Sequence, residues 1–143
     1  MDRIKLTRML IRDEGLRLYP YRCTAGKLTI GIGRNLDDVG ISKATAEQML
    51  GEDLKKAEDA CLSIFGQTLW QSWGENRKSG WINLAFNLGY AGVLGFRNTL
   101  RAAIGGNWEE VERHLRASKY ATQVKSRAER VIAMICREEF PYD

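Results

Sequence analysis

The amino-acid sequence predicts an α+β fold, mainly helical and two-lobed, in which a small β-hairpin lobe is set near the start of a helical body. Three patterns carry that expectation. Between Leu16 and Leu36, Pro20, Gly26, Gly31 and Gly33 punctuate a run in which Leu28, Ile30 and Ile32 alternate with small residues, as in a strand hairpin. From Ser42 onward, Ala46, Met49, Leu50, Leu54, Ala57 and Cys61 recur at helical spacing. After Gly66 every remaining pattern is helical, and no second hairpin signal follows.

Taken in order, Leu6, Met9 and Leu10 lie at i, i+3 and i+4, which predicts a short first helix ending near Glu14 with Gly15 as its stop. Ser42 is a good N-cap for a long helix running to about Ile64, which connects the hairpin to the rest. Trp81, Leu84, Ala85 and Leu88 form a stripe on a helix from about Arg77 to Leu88. Asn107, followed three residues later by Glu110, makes a capping-box-like start for the next helix. Val131, Ile132 and Ile135 repeat the buried-stripe pattern near the C-terminus. The expected organisation is one domain. Its β lobe covers about 15–41, its connecting helix about 42–64 and its helical lobe about 65–143, with residues 1–13 packing on the helical lobe. A ligand cleft is expected where the lobes meet.

Composition narrows the function. The 143 residues are 44% hydrophobic and 28% charged, an ordinary globular balance for which roughly 70% of the unfolded chain's surface can be buried. Charges at Asp2, Arg3, Lys5, Arg8 and Arg12 leave no apolar run for a signal peptide or anchor, so the chain is expected to be made in the cytoplasm and to stay there at first. No later window approaches the roughly 20 apolar residues of a membrane span. Cys23, Cys61 and Cys136 are an odd, dispersed set that fits reduced thiols. His114 is the only histidine, so no metal site and no cofactor are expected. Twenty-two Lys plus Arg against eighteen Asp plus Glu give a net charge of +4, and the last third carries Arg97, Arg101, Arg113, Arg116, Lys119, Lys125, Arg127 and Arg130. Such a surface is drawn to polyanions, nucleic acid or an acidic cell envelope, although a solvated helical face is the plainer reading.

The stretch richest in chemistry runs from Asp13-Glu14-Gly15 through Tyr21-Arg22-Cys23-Thr24-Ala25-Gly26 to Leu28-Thr29-Ile30-Gly31-Ile32-Gly33. A glutamate at a helix end, beside a hairpin whose glycines permit close backbone approach, is expected to be a half-buried carboxylic acid facing a groove. Burial raises a carboxyl pKa and so makes a general acid available at neutral pH. Read alone, such a glutamate is more often a solvated helix-end residue.

These residues resemble the active-site segment of the phage-type lysozymes, glycoside hydrolase family 24, the endolysins of tailed phages. That family's pattern is a catalytic Glu, eight residues, an Asp or sometimes a Cys, five residues, and a Thr. Glu14, Cys23 and Thr29 have this spacing. The resemblance extends over essentially the whole chain: Trp81 to Gly89 with Gly92 to Phe96 is similar to the family's long core helix and its turn. Ser126-Arg127-Ala128-Glu129-Arg130-Val131-Ile132 is similar to its terminal helix.

The resemblance implies a lysozyme-like fold and a muramidase that cleaves the β-1,4 bond between N-acetylmuramic acid and N-acetylglucosamine in peptidoglycan. It implies that Glu14 protonates the leaving oxygen, that Thr29 holds the attacking water, and that Arg127 sits near Glu14 and orients it. By the same correspondence Asn83, Phe86 and Asn87 line the cleft, with plain core packing as the other reading of Phe86, and Lys119 and Tyr120 lie at the cleft rim. It further implies a monomer that acts on peptidoglycan strands in the periplasm, released from the host cytoplasm through a holin-like pore, with no nucleic-acid partner and no stable membrane association.

Two positions depart from the pattern. Cys23 stands where many relatives carry aspartate, and its thiol is a base, a nucleophile or a pocket-filling group. Arg34 follows the TIGIG run where relatives often have histidine. The competing readings are a non-catalytic cell-wall binder, a hydrolase built on Cys23 and His114, and a basic nucleic-acid binder. The last lacks aromatic residues interleaved with its basic ones, and Trp70, Trp73, Trp81 and Trp108 sit in helical contexts that suit packing.

Overall fold

A computed structural model describes residues 1–142. It divides into two compact units, Met1–Met49 and the chain from Leu50 on. The first unit opens with α1 (Arg3–Glu14), whose N-terminus is capped by the Asp2 carboxylate accepting from the Ile4 and Lys5 amides at 3.1 Å. Gly15, at φ 77°, ends the helix and donates to the Ile11 carbonyl at 2.8 Å, as the sequence predicts.

The expected hairpin is present and carries one strand more. β1 (Arg17–Arg22), β2 (Leu28–Gly31) and β3 (Arg34–Asn35) form an antiparallel sheet in that order. The extra strand follows from Gly31 and Gly33, both near φ +70°. They turn the chain tightly enough for Ile30 to pair with Arg34 and Thr29 with Asn35. On the other edge, Tyr21 pairs with Thr29 and Arg22 with Leu28, and the register shifts between Arg17 and Tyr21, where Pro20 has no N–H to give the ladder.

α2 (Lys43–Phe65) begins where Ser42 Oγ accepts from the Thr45 amide at 3.1 Å. Its apolar stripe divides: Ala57, Cys61 and Phe65 are buried, whereas Met49, Leu50 and Leu54 are exposed. In the second unit, α3 (Gln67–Ser72), α4 (Glu75–Leu94), α5 (Arg97–Ile104), α6 (Trp108–Arg116) and α7 (Lys119–Arg137) build one core. α4 is longer at both ends than the 77–88 expectation, but its regular path breaks at Gly89 (φ 73°, ψ 173°), where the sequence stripe stops. Trp81, Leu84, Val131, Ile132 and Ile135 are fully buried. α4 and α7 pack so closely that a Cβ on Gly80 would lie 2.7 Å from Ile135 Cγ1 and 3.0 Å from the Ile135 amide. Glycine is required there by contact, not by backbone angle.

The tryptophans pack, as their helical contexts suggest. Phe65 lies edge-on to Trp73 and Trp81 at centroid distances of 4.7 and 4.8 Å, and Arg77 sits 3.8 Å above the Trp108 ring. Arg77 also donates to the Ile135 carbonyl at 2.6 Å and pairs with Glu138 at 2.8 Å, tying the end of α7 to α4. Asn107 caps α6 by accepting from the Glu110 amide at 3.2 Å. Only half of the capping box forms, because the Glu110 carboxylate turns instead to Arg113 and His114. The Cys61 and Cys136 thiols are pushed up to about 12 by burial, which makes them packing groups.

Candidate active site

The residues singled out by sequence fall into two groups, one in each unit. In the first unit, α1 delivers Glu14 at its last turn and the Gly31–Gly33 turn of the sheet receives it. A Cβ on Gly33 would stand 2.8 Å from Glu14 Oε2, so the absence of a side chain there lets the carboxyl lie against the turn. The expectation of a half-buried acid is not met: Glu14 is exposed. It is the terminal residue of a helix none of whose residues is buried, so the helix itself offers the carboxyl no cover.

Cys23 and Thr29 are brought together by the turn that joins β1 to β2. The Gly26 amide donates to the Cys23 carbonyl at 2.8 Å, the Cys23 amide donates to the Lys27 carbonyl at 3.0 Å, and Gly26 sits at φ 77° to make this possible. The Cys23 thiol is held below the usual thiol range, first by the Lys27 amide and then by the Ala25 amide. Amides aimed at a sulfur favour its thiolate, which is the nucleophilic and basic form. Thr29 is only 4% exposed and donates to the Lys27 carbonyl at 2.9 Å, which leaves its oxygen lone pairs free to accept. The loop behind is pinned by Asp37, which accepts from the Leu28 amide at 2.7 Å and pairs with Arg22 at 3.7 Å.

In the second unit, Arg127 of α7 donates through Nε to Asn83 Oδ1 of α4 at 2.9 Å and through Nη2 to the Asn83 carbonyl at 3.5 Å. Both line a pocket of about 500 Å³ with Phe86, Ile82, Phe140 and Tyr142. Phe86 is 42% exposed, so it is a pocket wall and not a core residue. Asn87 and Lys119 are exposed. Tyr120 departs from expectation: it is 4% exposed and belongs to the buried core cluster, not to a rim, because the first turn of α7 directs it inward. Among the basic residues of the last third, Arg113 and Arg116 are engaged by Glu110, Glu112 and Glu129, while Arg97, Arg101, Lys119 and Lys125 are exposed.

The sequence reading named the hairpin glycines as a place of close approach without singling out Gly33, and it missed the lowering of the Cys23 pKa by the Lys27 and Ala25 amides and the walls supplied by Phe140 and Tyr142. The Gly-X-Gly run marked the first of these, and the Thr24-Ala25-Gly26 turn marked the second. Backbone amides have no residue code, so their aim becomes visible only in the folded turn.

Comparison with known proteins gives a family. The model of the phage lysozyme family matches residues 12–135. The chain is 30% identical to the pre-baseplate central spike protein Gp5 of Enterobacteria phage T4, an alignment covering 92% of this chain and 28% of that protein. It is 28% identical to a protein named probable T4-type lysozyme 2 of Dictyostelium discoideum, over 88% of this chain and 90% of the relative. A second Dictyostelium discoideum protein, probable T4-type lysozyme 1, is also 28% identical, over 89% of this chain and 91% of its own length. The chain thus spans about a quarter of the spike protein and nearly all of the two others.

Proposed function

This chain belongs to the phage lysozyme family, whose members are glycoside hydrolases, and on that premise we propose that it is a muramidase. The bond cleaved is the β-1,4 link from N-acetylmuramic acid to N-acetylglucosamine in peptidoglycan. The observation that carries this reading is the arrangement within the first unit: a carboxyl seated on the Gly33 turn, and a thiol of lowered pKa held with Thr29 on the adjoining strands.

Glu14 protonates the departing glycosidic oxygen as positive charge develops on the sugar ring. The Cys23 thiolate removes a proton from a water that Thr29 orients through its free lone pairs, and that water adds to the anomeric carbon. Atoms balance: the leaving sugar gains the Glu14 proton, the new hydroxyl comes from water, and the thiol returns its proton to solvent and thence to Glu14. Asn83 and Arg127 with Phe86 bind and orient saccharide, while Asn87 and Lys119 contribute polar contacts. Biologically, the activity serves host-cell lysis at the end of phage infection. The protein acts on the wall in the periplasm as a monomer after a holin-like pore opens.

The test is digestion of purified peptidoglycan, followed by borohydride reduction and mass spectrometry of the fragments. A muramidase leaves reduced muramic acid at the new ends. Reduced glucosamine ends, or no new ends at all, reject the assignment. A second expectation comes from charge. The exposed Arg97, Arg101, Lys119 and Lys125 face an anionic wall, and the Debye length shrinks from about 10 Å at 0.1 M salt to about 3 Å at 1 M. The rate on intact wall should therefore fall several-fold across that range, while a rate independent of ionic strength rules out steering by charge.

A further inference from the structure

Within the second unit, α2 and α4 enclose another cavity, of about 490 Å³, that shares the Phe86 ring with the Asn83 and Arg127 pocket. Its floor is made of small residues: Ala57 and Ala60 of α2, three apart and so on one face, meet Ala85 of α4. Larger side chains there would fill the space that three methyl groups leave open. The half-exposed rings of Phe86 and Tyr90 are its walls. Asp53 and Lys56 of α2 complete the lining. Their side chains make no ion pair or hydrogen bond among the described residues of this unit, whereas Lys55 and Asp59 of the same helix pair at 3.1 Å. An unused donor and an unused acceptor thus stand beside two aromatic rings.

The backbone also departs from regularity here. Gly89 lines the cavity and is where α4 leaves its helical path, at φ 73° and ψ 173°. A Cβ added to it would meet nothing within 4 Å, so glycine is needed for the backbone angle and not for room. That combination of angles is essentially confined to glycine, and breaks of this kind gather at binding sites. The break sets where Tyr90 stands relative to Phe86, independently of helical spacing.

The lining also narrows the ligand. A carboxylate or phosphate would be attracted by Lys56 and repelled by Asp53, and a cation would meet the reverse. A neutral molecule bearing both donors and acceptors suits the pair, and the rings call for an apolar face. An N-acetylhexosamine has both properties, with C–H bonds on the face of its ring and hydroxyl and acetamido groups around the edge.

We propose that this cavity is a second saccharide subsite, in which Phe86 and Tyr90 stack on an N-acetylhexosamine, Asp53 accepts from its hydroxyls and Lys56 donates to its acetamido carbonyl. Because Phe86 belongs to both cavities, a glycan strand held at Asn83 and Arg127 reaches this one by crossing a single ring. The proposal rests on the muramidase reading for the identity of the strand, and adds the residues that hold the strand's next sugar.

The test is NMR of the full chain carrying Glu14→Gln, titrated with chitobiose and chitotetraose, which are neutral oligomers of N-acetylglucosamine. Chitotetraose should shift the Tyr90 ring and Lys56 Nζ signals and bind more tightly than chitobiose. Tyr90→Ala should weaken chitotetraose about tenfold, the scale of one aromatic contact, and abolish its advantage over chitobiose. Tyr90→Phe keeps the ring and should bind chitotetraose as the parent chain does. A Tyr90→Ala chain that melts at the parent temperature and binds chitotetraose with parent affinity overturns the proposal. Unmoved Tyr90 and Lys56 signals overturn it even if Tyr90→Ala fails to fold. Glycan strands stripped of stem peptide by an amidase should shift the same signals as intact fragments; a shift seen only with peptide-bearing fragments assigns the cavity to the peptide and rejects the saccharide. Cutting of purified peptidoglycan by the wild-type chain is scored separately. If cutting fails while chitotetraose still shifts Tyr90, the muramidase reading falls and the subsite stands. Cutting with silent Tyr90 and Lys56 signals rejects the subsite alone.

Discussion

Replacing Glu14 by glutamine is expected to lower turnover on purified peptidoglycan by at least about 1000-fold, within the 10²–10⁴ range that general acid catalysis contributes. The amide matches the carboxyl in shape and still donates hydrogen bonds, but it has no proton to surrender to a departing alkoxide. Stability should hardly change. Glu14 is exposed at the last turn of α1, and its neighbour at Gly33 is open backbone with no side chain to lose. The exposure also alters how the acid works. A sugar laid against the turn must cover the carboxyl and exclude water at the moment of reaction. Substrate therefore completes the acid, and short oligosaccharides that fail to cover the turn should be poor substrates. Clearing of chloroform-treated Gram-negative cells gives the quick readout. A Glu14→Gln protein that is folded by circular dichroism and still clears at the wild-type rate removes Glu14 from the acid role.

The fold was legible because most of its elements are announced by local chemistry. Gly15 stops α1, Ser42 starts α2, Asn107 starts α6, and each makes the hydrogen bond its residue type is suited to. The third strand was hidden because two residues give no periodicity, and only the paired positive-φ glycines create it. The α2 stripe misleads for a different reason. Helical spacing shows which residues share a face but not how far along that face the core extends, and Met49, Leu50 and Leu54 stay exposed while Ala57 and Cys61 are buried. In the site, the resemblance to the phage-type lysozymes pointed to Glu14, Cys23 and Thr29, and the turn that joins the last two was marked by Gly26. Depth was not marked. Glu14 lies further out than a carboxyl beside two glycines suggests, and Tyr120 further in than a residue next to the exposed Lys119 suggests. Burial depends on what the rest of the unit packs against, and one-dimensional spacing does not carry it.

Cys23 provides the second large effect. Its substitution by alanine should cost about 100-fold in kcat, the low end of what a positioned base supplies, whereas aspartate should restore nearly wild-type turnover and serine should not. The reasoning starts from the turn. The Lys27 and Ala25 amides lower the Cys23 pKa by favouring the anion, and the same donors will receive a carboxylate in its place. A serine hydroxyl at that position stays neutral at any working pH, so it fills the space without the charge. The pH profile follows with a definite sign. The thiolate fraction rises as pH rises through the lowered pKa, so the wild-type rate should climb on its acidic limb at a pH below that of an ordinary thiol. In Cys23→Asp that limb should move to the carboxylate range. Stereochemistry then separates base from nucleophile. A water activated by the thiolate and added opposite the leaving group gives the α-anomer first, whereas attack by sulfur on the sugar, followed by hydrolysis of the thioglycoside, gives the β-anomer. Proton NMR of the first-formed product should show α. A β product in the wild type, or an alanine variant as fast as the wild type, means that Cys23 is not the base: the first makes it the nucleophile, the second leaves it a packing group beneath Thr29.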